Sequence, residues 1–140
     1  MTDGQQAHSD PRREQALAIR ARILGESWDA GSRVTPGLEA FTELGIQHMW
    51  MGQWIDPVLE LRMKSTVTIS SLIALRHLGL LGFHVAGALR ESLLTPDEVR
   101  GIALHLNPYV GYPVARDAMV VIDREISAWE QAAQEGADRG

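Results

Sequence analysis

The tetrapeptide Thr95-Pro96-Asp97-Glu98 constrains this chain more than any other local feature. Threonine caps a helix, proline suits the first helical position, and a glutamate three residues on reaches back to the cap backbone. Behind it Val99, Ile102, Ala103 and Leu106 recur at helical spacing, so a helix is expected that ends before Pro108. The same period recurs elsewhere. From Pro11, the apolar positions Leu17, Ile19, Ile23, Leu24 and Trp28 alternate with Arg12, Arg13, Glu14, Arg20 and Arg22, and Gly25 weakens that helix. Gly31 to Gly37 reads as a loop, followed by a helix from about Pro36 to Trp54 with Leu38, Phe41, Leu44 and His48 on one face.

Asp56 is a candidate N-cap for a third helix that opens at Pro57 and runs to about Leu78. Val67, Thr68 and Ile69 favour a strand locally, but more than twenty residues without a turn signal decide for helix. Gly79 to Gly82 is expected to break it, and a short helix follows from Phe83 to Glu91. Tyr109 to Pro113 reads as a connector, and a last helix from Pro113 carries Val120, Val121, Ile122, Ile126 and Trp129. The expected class is all-α, with six or so helices.

A length of 140 residues fits one domain, placed at 11–132 between a flexible tail at 1–10 and another at 133–140. With no cysteine, thiol nucleophiles, thiol redox chemistry and Cys-ligated metal sites are excluded. A formal net charge of −5 argues against a nucleic-acid partner. The start is polar, and the longest apolar stretch, Thr66 to Leu75, is too short to span a bilayer. The expectation is therefore a cytoplasmic protein with no membrane partner.

Phosphate-loop, dinucleotide-binding, zinc-protease and EF-hand patterns are absent. The five histidines are His8, His48, His77, His84 and His105, and no two are spaced i, i+4, so no metal site is expected. His84 opens a run of apolar and small residues. It reads either as a hydrogen-bonded core histidine or as a general acid/base. His105, read as lying on the buried stripe of the capping-box helix, carries the same two readings. Lys64 is the only lysine, against twelve arginines. Its plain reading is a stem snorkelling to the surface; its sharper one is an ammonium that binds a carboxylate or enolate or forms a Schiff base. Trp50 and Trp54 lie one helical turn apart and read first as core or an oligomer face. The arginines near the start read as a solvated helix face.

Taken in order, Lys64-Ser-Thr-Val-Thr-Ile-Ser-Ser-Leu-Ile-Ala-Leu75, Phe83-His-Val-Ala-Gly-Ala-Leu89, Leu94-Thr-Pro-Asp-Glu-Val99 and Tyr109-Val-Gly-Tyr-Pro113 resemble the carboxymuconolactone decarboxylase family. Arg22-Ile-Leu-Gly25 resembles that family's amino-terminal helix, and Trp50 and Trp54 match its paired tryptophans. The resemblance spans roughly residues 20 to 130. It implies an all-α, alkylhydroperoxidase-D-like bundle assembled as a homotrimer or homohexamer, acting on a small molecule without a cofactor. The peroxidase relatives use a C-x-x-C pair that this chain lacks. The decarboxylase branch converts γ-carboxymuconolactone to the β-ketoadipate enol-lactone in aromatic catabolism.

By the resemblance, His84 is the acid/base and Lys64, where the family usually has Arg, binds carboxylate or oxyanion. Ser65, Trp50, Trp54, Asp56 and His105 are expected to line the substrate. Asp56 stands where Arg is usual, Gly101 where Glu is usual, and Ser92 where Gly is usual. These departures keep two alternatives open. One is a different lyase, isomerase or cyclisation step in another pathway, natural-product biosynthesis included; the other is a non-catalytic assembly or binding protein.

Overall fold

The computed structural model describes residues 10–26, 28 and 35–140. Among them the secondary structure is helical throughout, with no strand. The elements are α1 (Pro11–Leu24), α2 (Pro36–Gly45) running directly into a π-helical segment (Ile46–Trp54), α3 (Leu61–Ala74), α4 (Leu78–Arg90), α5 (Pro96–Val110) and α6 (Tyr112–Asp138). Most of the expected amino-terminal tail and of the 31–37 loop lies outside the described residues. Among the described residues no helix is long and apolar enough to cross a membrane.

Helix starts follow local chemistry. Asp10 accepts from Arg12 N at 3.0 Å, Thr35 accepts from Leu38 N at 3.2 Å, and a proline follows each cap. At α5 both arms of the capping box form: Glu98 N donates to Thr95 Oγ1 at 3.2 Å and Thr95 N to Glu98 Oε2 at 2.9 Å. Arg62 clamps the same glutamate, at 2.8 Å, and so ties α3 to the start of α5.

Several boundaries differ from the sequence expectation. Helix α1 stops at Gly25 rather than continuing to Trp28. Asp56 caps a turn, not a helix: its Oδ1 accepts from Val58 N at 2.9 Å, and α3 begins only after Glu60. The break before α4 falls at Leu75–His77, with Arg76 at φ 60°, and Gly79 and Gly82 lie inside α4. Burial of Leu81, Val85 and Leu89 outweighs their low helix propensity, which costs about 1 kcal/mol each. Helix α5 passes through Pro108 to Val110. Proline there forfeits the helix bond to the Leu104 carbonyl, and Leu104 is an exposed residue. The connector shrinks to Gly111, whose φ of 90° turns the chain in one residue. Helix α6 continues through the polar end to Asp138, supported by its alanines, glutamates and glutamines.

Helix α4 is the hub. Its buried Leu81, Val85, Ala88 and Leu89 join Ile69 and Ile73 of α3, Val99 and Ala103 of α5, and Ile122 and Ile126 of α6 in the main core. A second core joins Ala16, Ile23 and Leu24 of α1 to Ile46, Trp50 and Trp54 of the π-helical segment. The expected apolar face of Leu38, Phe41, Leu44 and His48 is exposed instead, Phe41 by 74%. The i→i+5 bonding that begins at Ile46 rotates the later residues, and it is Ile46, Trp50 and Trp54 that turn inward.

Candidate active site

A cavity of about 460 Å³ opens where α1, α2, the π-helical segment, α3 and α4 converge. Its walls are mostly apolar: Leu24 of α1, Phe41 of α2, Trp50 and Trp54 of the π-helical segment, Leu72 of α3 and Leu80 of α4. Its polar groups are few. Among the described residues, Thr42, Thr68, His84 and Arg20 line it with polar side chains. Ligand sites typically combine an apolar wall with a small number of placed polar groups.

His84 is only 5% exposed, and its Nδ1 is buried without a hydrogen-bond partner. Its ring stacks on Trp54 at 5.9 Å with an interplanar angle of 24°, and Trp54 in turn stacks on Trp50 at 5.0 Å. Burial disfavours the imidazolium, and the pKa falls from 6.5 to about 4. His84 is thus neutral near pH 7, with one N–H and one lone pair to offer. An unpartnered polar atom in the interior costs about 1–3 kcal/mol.

Arg20 was not expected here. The arginines of α1 read as a solvated face, yet they fasten the helix. Arg13 donates to both Glu43 oxygens at 2.7 Å, Arg12 to Met51 O at 3.2 Å, and Arg22 to Glu91 at 2.7 Å. Arg20 reaches the cavity. It stands four residues from both Ala16 and Leu24, two buried positions, so the 16–20–24 spacing carries the signal that could have placed it. Leu17, expected in the apolar face, lies outside that line and is partly exposed.

The other candidates are spread out. Lys64 lines a neighbouring cavity of about 360 Å³, together with Asp56, Val67, Thr68 and Trp54. Trp54 and Thr68 border both cavities, whereas Lys64 and His84 border one each. The ammonium of Lys64 donates to Trp54 O at 2.9 Å and also to Asp56 O. Asp56 is exposed at that second cavity, its carboxylate engaged with Val58 N. Ser65 is 1% exposed, its Oγ lacks a partner, and it borders neither cavity. His105 lies on the outside of α5 against Tyr109, at 5.7 Å, not on the buried stripe. Gly101 is also on the exposed side of α5, with open space where a side chain would stand. Among the described residues no group of three or more His, Asp or Glu is placed to hold a metal ion.

The fold and this cavity define an all-α scaffold with a desolvated histidine in an aromatic-walled site. The family model for the carboxymuconolactone decarboxylase family matches residues 38–124, and the chain belongs to that family. It is 28% identical over 116 residues to the nitrosuccinic acid decarboxylase npaB of Metarhizium robertsii, covering 81% of this chain and 80% of the relative. It is also 28% identical over 119 residues to the 4-carboxymuconolactone decarboxylase of Acinetobacter baylyi, covering 80% of this chain and 84% of that relative. Both relatives are named decarboxylases, and this chain is a decarboxylase-like enzyme.

Proposed function

We propose that this chain removes CO₂ from a small anionic acid held in the His84 cavity. The observation that carries the reading is a buried, neutral histidine on the wall of a mostly apolar cavity that Arg20 also lines. Breaking the C–C bond to a carboxylate releases CO₂ and leaves an electron pair, which must pass into an acceptor such as a lactone carbonyl or a nitro group. The tryptophan wall supplies a poorly solvated surface for the departing carboxylate, and neutral CO₂ leaves it without penalty. Arg20 pairs with a second anionic group on the substrate. Its guanidinium has five donors, so a contact within the protein leaves capacity for a ligand. A carboxylate beside the imidazole raises its pKa, so His84 takes up a solvent proton as the substrate binds, donates a hydrogen bond from it to the developing oxyanion, and passes it to carbon, returning to the neutral imidazole.

The substrates that name the two relatives, nitrosuccinic acid and 4-carboxymuconolactone, both fit this description: each joins carboxyl groups to an electron acceptor. With either, the test is CO₂ release by purified protein. Turnover of one is expected, with Arg20→Gln raising KM by roughly tenfold or more and lowering kcat less, as loss of a ground-state anion contact does. A folded wild type that releases CO₂ from neither and binds neither overturns the reading. One observation favours the other enzymatic alternative, a lyase, isomerase or cyclisation step on a less anionic substrate. Lys64 lines the neighbouring cavity and is engaged with backbone carbonyls, so among the described residues Arg20 is the one cationic side chain that lines this cavity.

A further inference from the structure

We propose that Lys64 is a positioning residue, which pins the end of the π-helical segment by its backbone carbonyls and so holds the Trp54 indole against His84. The π-helical segment is nine residues long, where such bonding normally lasts one turn. Its end is marked by a long i→i+5 bond from Ile55 N to Trp50 O, 3.3 Å. Carbonyls at such an end lack partners of their own and carry partial negative charge. Two cations from neighbouring helices take them up. Arg12 of α1 donates to Met51 O at 3.2 Å, and Lys64 of α3 to Trp54 O at 2.9 Å and to Asp56 O.

Lys64 suits this task for a chemical reason. An ammonium offers three donors on a flexible stem, and two are used on carbonyls two residues apart in sequence. The consequence reaches the site through one residue. Trp54 carries the carbonyl that Lys64 holds and the ring that stacks on His84. Indole and imidazole lie 24° from parallel at 5.9 Å, a geometry with no covalent support beyond the Trp54 backbone. The lone lysine thus acts on His84 across the wall between two cavities.

That Lys64 matters to turnover rests on the proposed reading of the His84 cavity; its effect on the geometry does not. The test therefore has two arms. Proton NMR reads the imidazole C–H resonances of His84, assigned with His84→Gln. A stacked indole shifts them upfield, and Trp54→Phe marks the value without it. Lys64→Met is expected to move them towards that marker, and Lys64→Arg, which keeps charge and donors, to bring them back. In the kinetic arm Lys64→Met is expected to lower kcat by roughly tenfold to a hundredfold, the scale of a small misplacement, with KM changed less. If Lys64→Met does not fold, Lys64→Leu, which likewise has no donor, is read the same way. Wild-type His84 resonances in a folded Lys64→Met or Lys64→Leu protein overturn the proposal. So does a rise in KM alone with those resonances unmoved, which would make Lys64 a substrate ligand. Moved resonances in a chain that releases no CO₂ from either acid would sustain the positioning role while the decarboxylase reading fails.

Discussion

His84→Ala is expected to lower kcat by roughly 10² to 10⁴, the usual worth of a positioned acid/base, in a protein that remains helical. Alanine suits the interior of α4, and the change removes a buried polar atom that has no partner. The side chain also borders a cavity, so its loss enlarges open space rather than tearing a closed core. Steady-state rates with circular dichroism on the same samples check this. Activity within about threefold of wild type would remove His84 from the reaction.

The low pKa of His84 makes two pH dependences follow. The unfolded chain takes up a proton at this side chain below about 6.5, while the folded protein does so only near 4. Over that interval the unfolded state binds more protons, so stability falls as the pH drops from about 6.5 towards 4. The full effect of this one group is about 3 kcal/mol, and below that interval it contributes no further loss. Urea titrations at pH 7 and pH 4.5 should show the loss in wild type and a smaller one in His84→Ala. Ligand binding runs the opposite way. A carboxylate beside the imidazole supplies the opposite charge that the empty cavity lacks, and lifts the pKa. Binding of an unreactive dicarboxylate should then tighten as the pH falls from the lifted value towards 4, by up to about tenfold per unit. Affinity independent of pH throughout would mean that no anion reaches His84.

What could be read from the sequence was mainly what depends on near neighbours. Thr35 and Thr95 cap their helices through bonds to residues three positions on, and both starts were legible. The ends were less so, because they depend on packing. Gly79 and Gly82 look like breakers, yet α4 runs through them with more than half of its residues buried; Pro108 looks like a stop, yet the helix bond it forfeits falls at Leu104, an exposed residue. No propensity announces a π-helical segment; the one-turn spacing of Trp50 and Trp54 gave their place in a core, not the rotation that turns them inward while Leu38, Phe41 and Leu44 stay exposed. The burial of His84 was legible from its apolar surroundings. Lys64 was flagged as unusual, but its partners are carbonyls eight and ten residues back, which side-chain patterns do not encode. His105 was misplaced: Val99, Ile102, Ala103 and Leu106 define the stripe, and position 105 stands beside it.

The largest effect on stability is expected from a single methyl group at Gly87. A Cβ there would lie 1.8 Å from Ile23 O, 2.7 Å from its carbonyl carbon and 3.1 Å from its Cα. These are backbone atoms of α1, so no rotamer change relieves the contact and the whole helix must retreat. Retreat would part Ile23 and Leu24 from the second core and strain the Arg22–Glu91 pair that straddles the same crossing. Gly87→Ala should therefore cost at least about 3 kcal/mol by denaturant titration, at the upper end for overpacking, with failure to fold as the limiting case. Gly101→Ala is the matched control. It also sits inside a helix, but nothing lies within 4 Å of its added Cβ, and a gain of up to about 1 kcal/mol is expected. The contrast bears on function because α1 brings Arg20 and Leu24 to the cavity. A partly destabilised Gly87→Ala protein should raise KM as Arg20→Gln does, since the guanidinium moves back with its helix. Equal stability of Gly87→Ala and wild type would mean that α1 does not cross α4 at this point, and the placement of Arg20 at the same cavity as His84 would fall with it.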